Sequence, residues 1–116
     1  MEFLYFSRSD LRFENESSAK TSTSFIRLLK TNEIDCTFYV GPYNATFCKH
    51  KDSTLIPTYE ETISRIKKFL VKEEMEFIDG TDISYKTGTF IDVQHISQYG
   101  AYLTALQIKA HYEKHR

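Results

Sequence analysis

The pattern of hydrophobic and polar positions at the start of the chain predicts a strand followed by a helix. Glu2 to Ser7 is a short apolar run, which is typical of a β-strand. Ser17 to Lys30 predicts a helix, although its first half is rich in serine and threonine, which favour caps and turns. The second half supplies the buried side of this helix, formed by Phe25, Ile26, Leu28 and Leu29.

The next two predicted strands surround a turn-rich tetrapeptide. Cys36 to Val40 and Ala45 to His50 have strand-like patterns, and Gly-Pro-Tyr-Asn at positions 41–44 favours a turn between them. In the register that keeps the apolar side chains on one face, Cys36 does not lie opposite Cys48. Because register follows the buried face, the sequence predicts two free thiols rather than a disulfide.

A second helix carries the clearest local signal in the chain. Thr58 and Glu61 fit a capping box, in which each side chain bonds to a free amide of the first turn. Ile63, Ile66 and Leu70 then fall on one helical face. We therefore expect a helix that begins at Thr58 and packs through these three residues.

The remainder of the chain predicts a β-meander and a final helix. Met75 to Ile78 and Thr81 to Lys86 are predicted strands joined by a tight turn at Asp79-Gly80, and Thr89 to Val93 is a third strand. From about His95 the pattern is helical to near the end of the chain. A stripe at spacings of three and four runs along this helix, formed by Ile96, Tyr99, Leu103, Leu106 and Ala110.

These elements define the predicted fold. Their order is β-α-β-β-α-β-β-β-α within a single domain spanning residues 1–116. The expected class is α+β, with one antiparallel sheet and helices packed on it.

Composition and charge argue against several functional classes, although a nucleic-acid or nucleotide partner stays open through a local basic patch. Hydrophobic residues make up 41% of the chain and charged residues 27%, as in an ordinary folded domain. The formal net charge is −1, whereas a protein that coats nucleic acid carries a marked positive excess. The sequence shows no secretory signal and no apolar run of the length that spans a bilayer, so we expect a cytoplasmic protein without a membrane partner.

Neither a metal site nor a bound cofactor is predicted. A Cys/His zinc site would have to combine Cys48 and His50 with His111 and His115, and no spacing among them matches a structural zinc pattern. His111 and His115 lie in the last turns of a helix, where positive charge is favourable. Ala19-Lys20-Thr21 resembles the end of a phosphate-binding loop but lacks the glycines that let amides surround a phosphate.

An enzyme is the first alternative to a binding protein, and the sequence offers a defined set of candidate catalytic residues for it. A compact metal-independent nuclease or nucleotide-handling enzyme needs a histidine, a lysine or arginine, a glutamate and a tyrosine brought together. His50, His95, Tyr85 and Lys86 are of these types. Any small domain contains such residues, so the sequence favours a protein that is not an enzyme.

The preferred hypothesis is a small binding or regulatory protein that associates directly with a protein partner. Its composition and size are typical of inhibitors and immunity proteins, and of proteins encoded by phages, viruses or mobile elements. Tyrosine suits a contact surface because it buries apolar area while retaining a polar group. The candidate contact residues are Tyr39, Tyr43, His50, Tyr99 and Tyr102.

Two further alternatives involve a second copy of the chain. Gly100, Ala101 and Ala105 allow close approach to the last helix, either by packing within the monomer, which we expect first, or at a homodimer seam. A homodimeric nucleotide-binding module would use Lys20, or Lys67 with Lys68, to meet phosphate.

Overall fold

The computed structural model describes residues 2–6 and 16–115, with side chains from residue 22 onward. In chain order the elements are strand β1 (Glu2–Phe6), helix α1 (Glu16–Thr31), strand β2 (Cys36–Val40), helices α2 (Ala45–Lys51) and α3 (Leu55–Lys72), strand β3 (Glu76–Asp79), a 3₁₀ helix (Thr81–Tyr85) and helix α4 (Gln98–Lys114). The chain is α+β, but the predicted order of its elements is wrong.

The sheet is parallel, so the predicted antiparallel sheet is also wrong. Its strand order is β1-β2-β3, and β2 pairs in parallel with both neighbours. Leu4 of β1 lies opposite Phe38 of β2, which in turn lies opposite Phe77 of β3. Helices follow β1 and β2 in the chain, and such crossovers return the next strand in the same direction.

Strand β2 is buried on both faces, which places it at the centre of the protein. All five of its residues are buried. Cys36, Phe38 and Val40 join one hydrophobic cluster with residues of α1 and α3. Because side chains alternate along a strand, Thr37 and Tyr39 point to the opposite face, which α4 covers. The cluster on the first face includes Ile26, Leu29, Ile63, Ile66 and Leu70.

The predicted strand Ala45–His50 is wrong because this segment forms helix α2. Asn44 caps the helix: its side-chain oxygen accepts a hydrogen bond from the backbone amide of Phe47 at 2.9 Å. Ala45 and Cys48 lie three residues apart and are both buried, as on one side of a helix. The predicted hairpin between Cys36–Val40 and Ala45–His50, together with its register, is therefore also wrong. The prediction that Cys36 and Cys48 form no disulfide is nevertheless confirmed, and both are buried.

Helix α3 begins earlier than predicted. Its N-cap residue is Thr54, so Thr58 lies inside the helix and the predicted capping box is wrong. The hydroxyl of Thr62 donates to the carbonyl of Thr58, as expected one turn apart in a helix. The predicted buried face of Ile63, Ile66 and Leu70 is confirmed.

Helices α1 and α3 end in the same way, and each leads directly into a strand. Glu33 and Glu74 follow the two helices in the left-handed conformation, with φ of 55° and 56°. The next amides, of Ile34 and Met75, donate to carbonyls five residues earlier at 2.9 Å. This is the Schellman arrangement, which satisfies the last carbonyls of a helix and reverses the chain. It turns each helix back toward the sheet.

The predicted β-meander is wrong beyond its first strand. Asp79 does not form a hairpin turn: its carboxylate accepts a hydrogen bond from the Thr81 amide at 3.0 Å, and the chain enters the 3₁₀ helix. In place of the predicted strand Thr89–Val93, the structure has an isolated antiparallel bridge between Phe90 and Ile96.

None of the described helices combines the length and apolar character needed to cross a membrane. The single domain and the cytoplasmic location stay predictions.

Candidate functional site

The predicted contact residues divide between the interior and the surface. Tyr39 is fully buried and Tyr43 is 5% exposed, so both side chains belong to the interior. His50, Tyr99 and Tyr102 are exposed. The structure therefore places three of the five at positions that a partner can reach, on two different helices, α2 and α4.

Tyr43 lies at the centre of a cluster of phenols around one carboxylate. Its hydroxyl donates a hydrogen bond to Glu60 Oε1 at 2.7 Å and lies 3.0 Å from the hydroxyl of Tyr85. Tyr85 also donates to the same carboxylate oxygen. The ring of Tyr43 stacks on that of Tyr59 with centroids 5.0 Å apart. The cluster joins the segment after β2 to α3 and the 3₁₀ helix.

This environment suppresses ionisation of Tyr43. Burial, followed by the hydrogen bonds with Tyr85 and Glu60, raises the pKa of Tyr43 far above its ordinary value. The hydrogen bond to Glu60 likewise raises the pKa of Tyr85, although the bond with Tyr43 opposes it. The cluster therefore holds neutral phenols at physiological pH, and these tyrosines are poor nucleophiles.

We expect Tyr43 to resist alkaline titration. Tyrosinate absorbance followed against pH should show a fraction of the phenols still protonated above pH of about 10, where exposed tyrosines ionise. Since the pKa is raised in the folded state, the contribution of Tyr43 to stability is complete below about pH 10 and is lost as the pH rises beyond it. Tyr43→Phe should reduce the late fraction by one phenol and flatten this alkaline loss of stability. The exposed control Tyr102→Phe should do neither, and titration of Tyr43 together with the other phenols would contradict the prediction.

The residues of the enzymatic alternative are not assembled into one site. The imidazole of His95 forms a hydrogen bond with the carboxylate of Asp92. The same carboxylate accepts hydrogen bonds from the backbone amides of Gln94 and His95. These amide bonds, followed by the bond with the imidazole, lower the pKa of Asp92 to about 2. His95 thus completes a local turn.

Among the side chains that the structure describes, no hydrogen bond or ion pair joins His95 to the other members of that set. Tyr85 belongs to the phenol cluster around Glu60. Lys86 lines an open cleft of about 370 Å³ between the start of α2 and residues 86–93, and neither His50 nor His95 lines it. Within residues 22–115, His50 takes part in no side-chain hydrogen bond or ion pair with Tyr85, Lys86 or His95.

Of the lysines proposed to meet phosphate, one is engaged by a carboxylate. Lys67 forms an ion pair with Asp79 at 2.5 Å. Burial acts to raise the pKa of Asp79, but hydrogen bonds from Lys67 and Thr81 outweigh it and lower the pKa. Lys68 is exposed, and the side chain of Lys20 lies outside the described residues.

Helix α4 packs on the sheet through a polar face. Gln107 accepts a hydrogen bond from the Tyr39 hydroxyl at 2.6 Å, and its side-chain amide donates to Asp82 at 2.6 Å. Nearer the end of the helix, His111 Nε2 lies 3.1 Å from Glu76 Oε1. This inward face, rather than the predicted apolar stripe, holds the helix in place.

The outer face of α4 is consequently apolar. We define it as Tyr99, Tyr102 and Leu106, which are 48%, 60% and 43% exposed and recur at helical spacing. Ala101 and Ala105 beside them are also exposed. From Gln98 to Ala110 the helix contains one charged residue, Lys109. An aromatic surface depleted of charge has the composition found at the centres of protein interfaces.

Gly100 faces inward, as expected for packing within the monomer. A Cβ at this position would lie 2.2 Å from the carbonyl oxygen of Thr89. The hydroxyl of Ser97 caps the helix, since it accepts a hydrogen bond from the backbone amide of Gly100 at an N···Oγ distance of 3.0 Å. The glycine therefore allows the start of α4 to contact the preceding loop.

The sequence did not identify two carboxylates that lie at the centre of these side-chain clusters. Glu60 organises the phenol cluster, and Glu76 meets His111. A hydrogen bond from Thr37 lowers the pKa of Glu76; burial opposes this effect and the bond with His111 supports it. No local signal identifies Glu60 or Glu76, because their partners lie 17 and 35 residues away in the chain.

No protein-family model matches this chain, and neither a curated protein nor a solved structure is similar to it. Its function is therefore inferred from the geometry of the chain itself.

Proposed function

We propose that this protein is a small non-enzymatic binding protein, a regulator or inhibitor that acts by direct association with a protein partner. The observation that supports the proposal is the outer face of α4. It presents Tyr99, Tyr102 and Leu106 to solvent on a helix whose opposite face is already occupied by the sheet.

The chemistry of this face favours a protein over a nucleic acid. Nucleic-acid binding requires cations that neutralise phosphates. Between Gln98 and Ala110 the one cation of α4 itself is Lys109, which lies 3.8 Å from Glu113, so its charge is partly compensated. Tyrosine rings instead supply large, rigid contact areas that lose little side-chain entropy on binding. The matching partner surface is apolar or aromatic and has few charges.

Tyr102→Glu is expected to weaken binding of the partner by about 30-fold or more, the equivalent of a contact worth about 2 kcal/mol. The charge would have to be buried without a counter-ion in an uncharged interface. The free energy of unfolding should change by less than about 0.5 kcal/mol, because the residue is on the surface. Affinity is measured by calorimetry with the partner that copurifies in stoichiometric amount from a cell lysate.

The matched control is Val71→Glu, which introduces the same charge at an exposed apolar residue of α3. A partner retained by the wild type and by Val71→Glu but lost by Tyr102→Glu supports the proposal. Equal retention by all three proteins would contradict it. A dimer in size-exclusion chromatography that Tyr102→Glu dissociates would instead identify a second copy of the chain as the occupant. An RNA-cleaving activity lost in His50→Ala or His95→Ala would support the enzymatic alternative.

A further inference from the structure

Three side chains with metal-ligating atoms meet where the end of α4 lies over β3. Glu76 is the first residue of β3, and His111 and His115 are one helical turn apart at the end of α4. Each offers one ligand atom, and these atoms all lie within 4.8 Å of one another. Two imidazoles and a carboxylate are brought together by tertiary packing, and this is the set we call the Glu76–His111–His115 cluster.

The distances in this cluster approach those of a coordination site. Zn²⁺ binds imidazole nitrogen and carboxylate oxygen at about 2.1 Å, so two ligand atoms of a tetrahedral site are about 3.4 Å apart. His111 Nε2 lies 3.1 Å from Glu76 Oε1, and the two imidazole rings have centroids 4.4 Å apart. Small side-chain rotations are enough to direct all three ligand atoms at one point.

A buried residue supports the carboxylate from behind. Thr37, on the central strand and fully buried, donates a hydrogen bond to Glu76 Oε2 at 2.7 Å. That bond fixes one carboxylate oxygen and leaves Oε1 directed at His111. Supporting hydrogen bonds of this kind orient metal ligands and commonly accompany them. The side chain of His111 is 12% exposed, whereas His115 lies at the surface, so the cluster opens to solvent on one side.

We propose that Glu76, His111 and His115 bind one Zn²⁺ ion, with a water molecule as the fourth ligand. Two imidazoles favour a first-row transition metal over Mg²⁺ or Ca²⁺, which take oxygen ligands. The ion joins the last turn of α4 to the edge strand β3, and so it holds the helix against the sheet. This site is separate from the outer face of α4, and the proposal goes beyond partner binding.

Isothermal titration of the purified protein with zinc chloride tests the site. The wild type is expected to bind one equivalent of Zn²⁺ and to show a higher unfolding temperature in its presence. His115→Ala should lower the affinity more than about 100-fold, exceeding the 10- to 100-fold cost typical of losing a supporting hydrogen bond. Thr37→Val, which removes that supporting bond, should fall within the 10- to 100-fold range. The matched control is His95→Ala, an exposed histidine outside the cluster, which should bind like the wild type.

Unfolding temperatures without metal show that each variant is folded before its affinity is interpreted. His115 is exposed, so its replacement is expected to leave the unliganded protein stable. Absence of zinc binding by the wild type would overturn the proposal. Unchanged affinity in His115→Ala, or an equal loss in His95→Ala and His115→Ala, would overturn it as well, since the binding would then come from surface histidines in general.

Discussion

Replacement of Tyr39 by alanine is expected to lower the free energy of unfolding by about 4 kcal/mol, as for other large buried aromatic residues. Tyr39 is fully buried on the central strand, beneath α4. Its hydroxyl donates to Gln107 at 2.6 Å and lies 3.3 Å from the hydroxyl of Thr104. A Cβ at residue 80 would lie 2.1 Å from this hydroxyl, so the glycine there makes room for the ring. Chemical denaturation of the wild type and the variant measures the difference.

Two controls separate the contributions of the ring and the hydroxyl. Tyr39→Phe keeps the ring and should cost about 1 kcal/mol, the typical net value of one hydrogen bond. Tyr102→Ala removes an exposed ring and should change stability by less than about 0.5 kcal/mol. A loss below about 1 kcal/mol for Tyr39→Ala would show that α4 does not cover this strand.

Gly100→Ala is expected to lower the free energy of unfolding by about 2 kcal/mol, although alanine is the better helix former by about 1 kcal/mol. The added methyl group would meet the carbonyl oxygen of Thr89 at 2.2 Å. That carbonyl accepts the Ser97 amide at 2.9 Å, and so it cannot move without loosening the start of α4. The effect is measured by thermal and chemical unfolding.

The adjacent residue provides the control for this substitution. Ala101 is exposed, so Ala101→Gly should cost about 1 kcal/mol through helix propensity alone. Both changes should therefore destabilise the protein, even though one adds a methyl group to α4 and the other removes one. Stabilisation by Gly100→Ala would show that the helix start does not contact Thr89.

Hydrophobic periodicity predicted correctly that the three long helices and the central strand exist. It did not predict every buried face, since Phe25 and Leu28 of α1 are exposed. Helix α3 repeats its buried residues through Ile63, Ile66 and Leu70, and such a pattern has no competing interpretation over that length. The start of α3 lies ahead of the predicted one because proline is tolerated in the first turn of a helix, and Pro57 occupies that turn. A helix start ahead of that proline would have fitted.

The segment Ala45–Lys51 shows why short elements are ambiguous. Ala-Thr-Phe-Cys-Lys-His alternates like a strand, yet Ala45 and Cys48 also recur at helical spacing. Six residues do not separate a period of two from a period of 3.6. Asn44 was the deciding signal, since asparagine is a strong N-cap residue.

The predicted antiparallel direction of the strands was wrong for a related reason. Cys36–Val40 is a continuous run without charged residues, which is typical of a strand buried on both faces in a parallel sheet. The Asp79-Gly80 pair suggested a hairpin, but Asp79 instead bonds to Thr81 and begins the 3₁₀ helix. Turn residues identify where a chain bends, but they do not determine whether a strand or a helix comes next.

Parts of the Glu76–His111–His115 cluster and of the outer face of α4 could be recognised from the sequence. The spacing of His111 and His115 places both on one helical face, and Tyr99 and Tyr102 were identified as contact residues. Glu76 and the polar inward face of α4 were not found, because Gln107 and Thr104 resemble solvent-facing positions until their buried partner Tyr39 is known.

The outer edge of β3 affects how readily the protein aggregates at high concentration. Among the described ranges no strand pairs with that edge, and an open edge is a template on which another molecule can add a strand and begin aggregation. β3 is four residues long and has a carboxylate at each end, Glu76 and Asp79. A strand of only four residues offers few backbone groups on which an incoming strand can pair, so the protein discourages fibril growth from this edge.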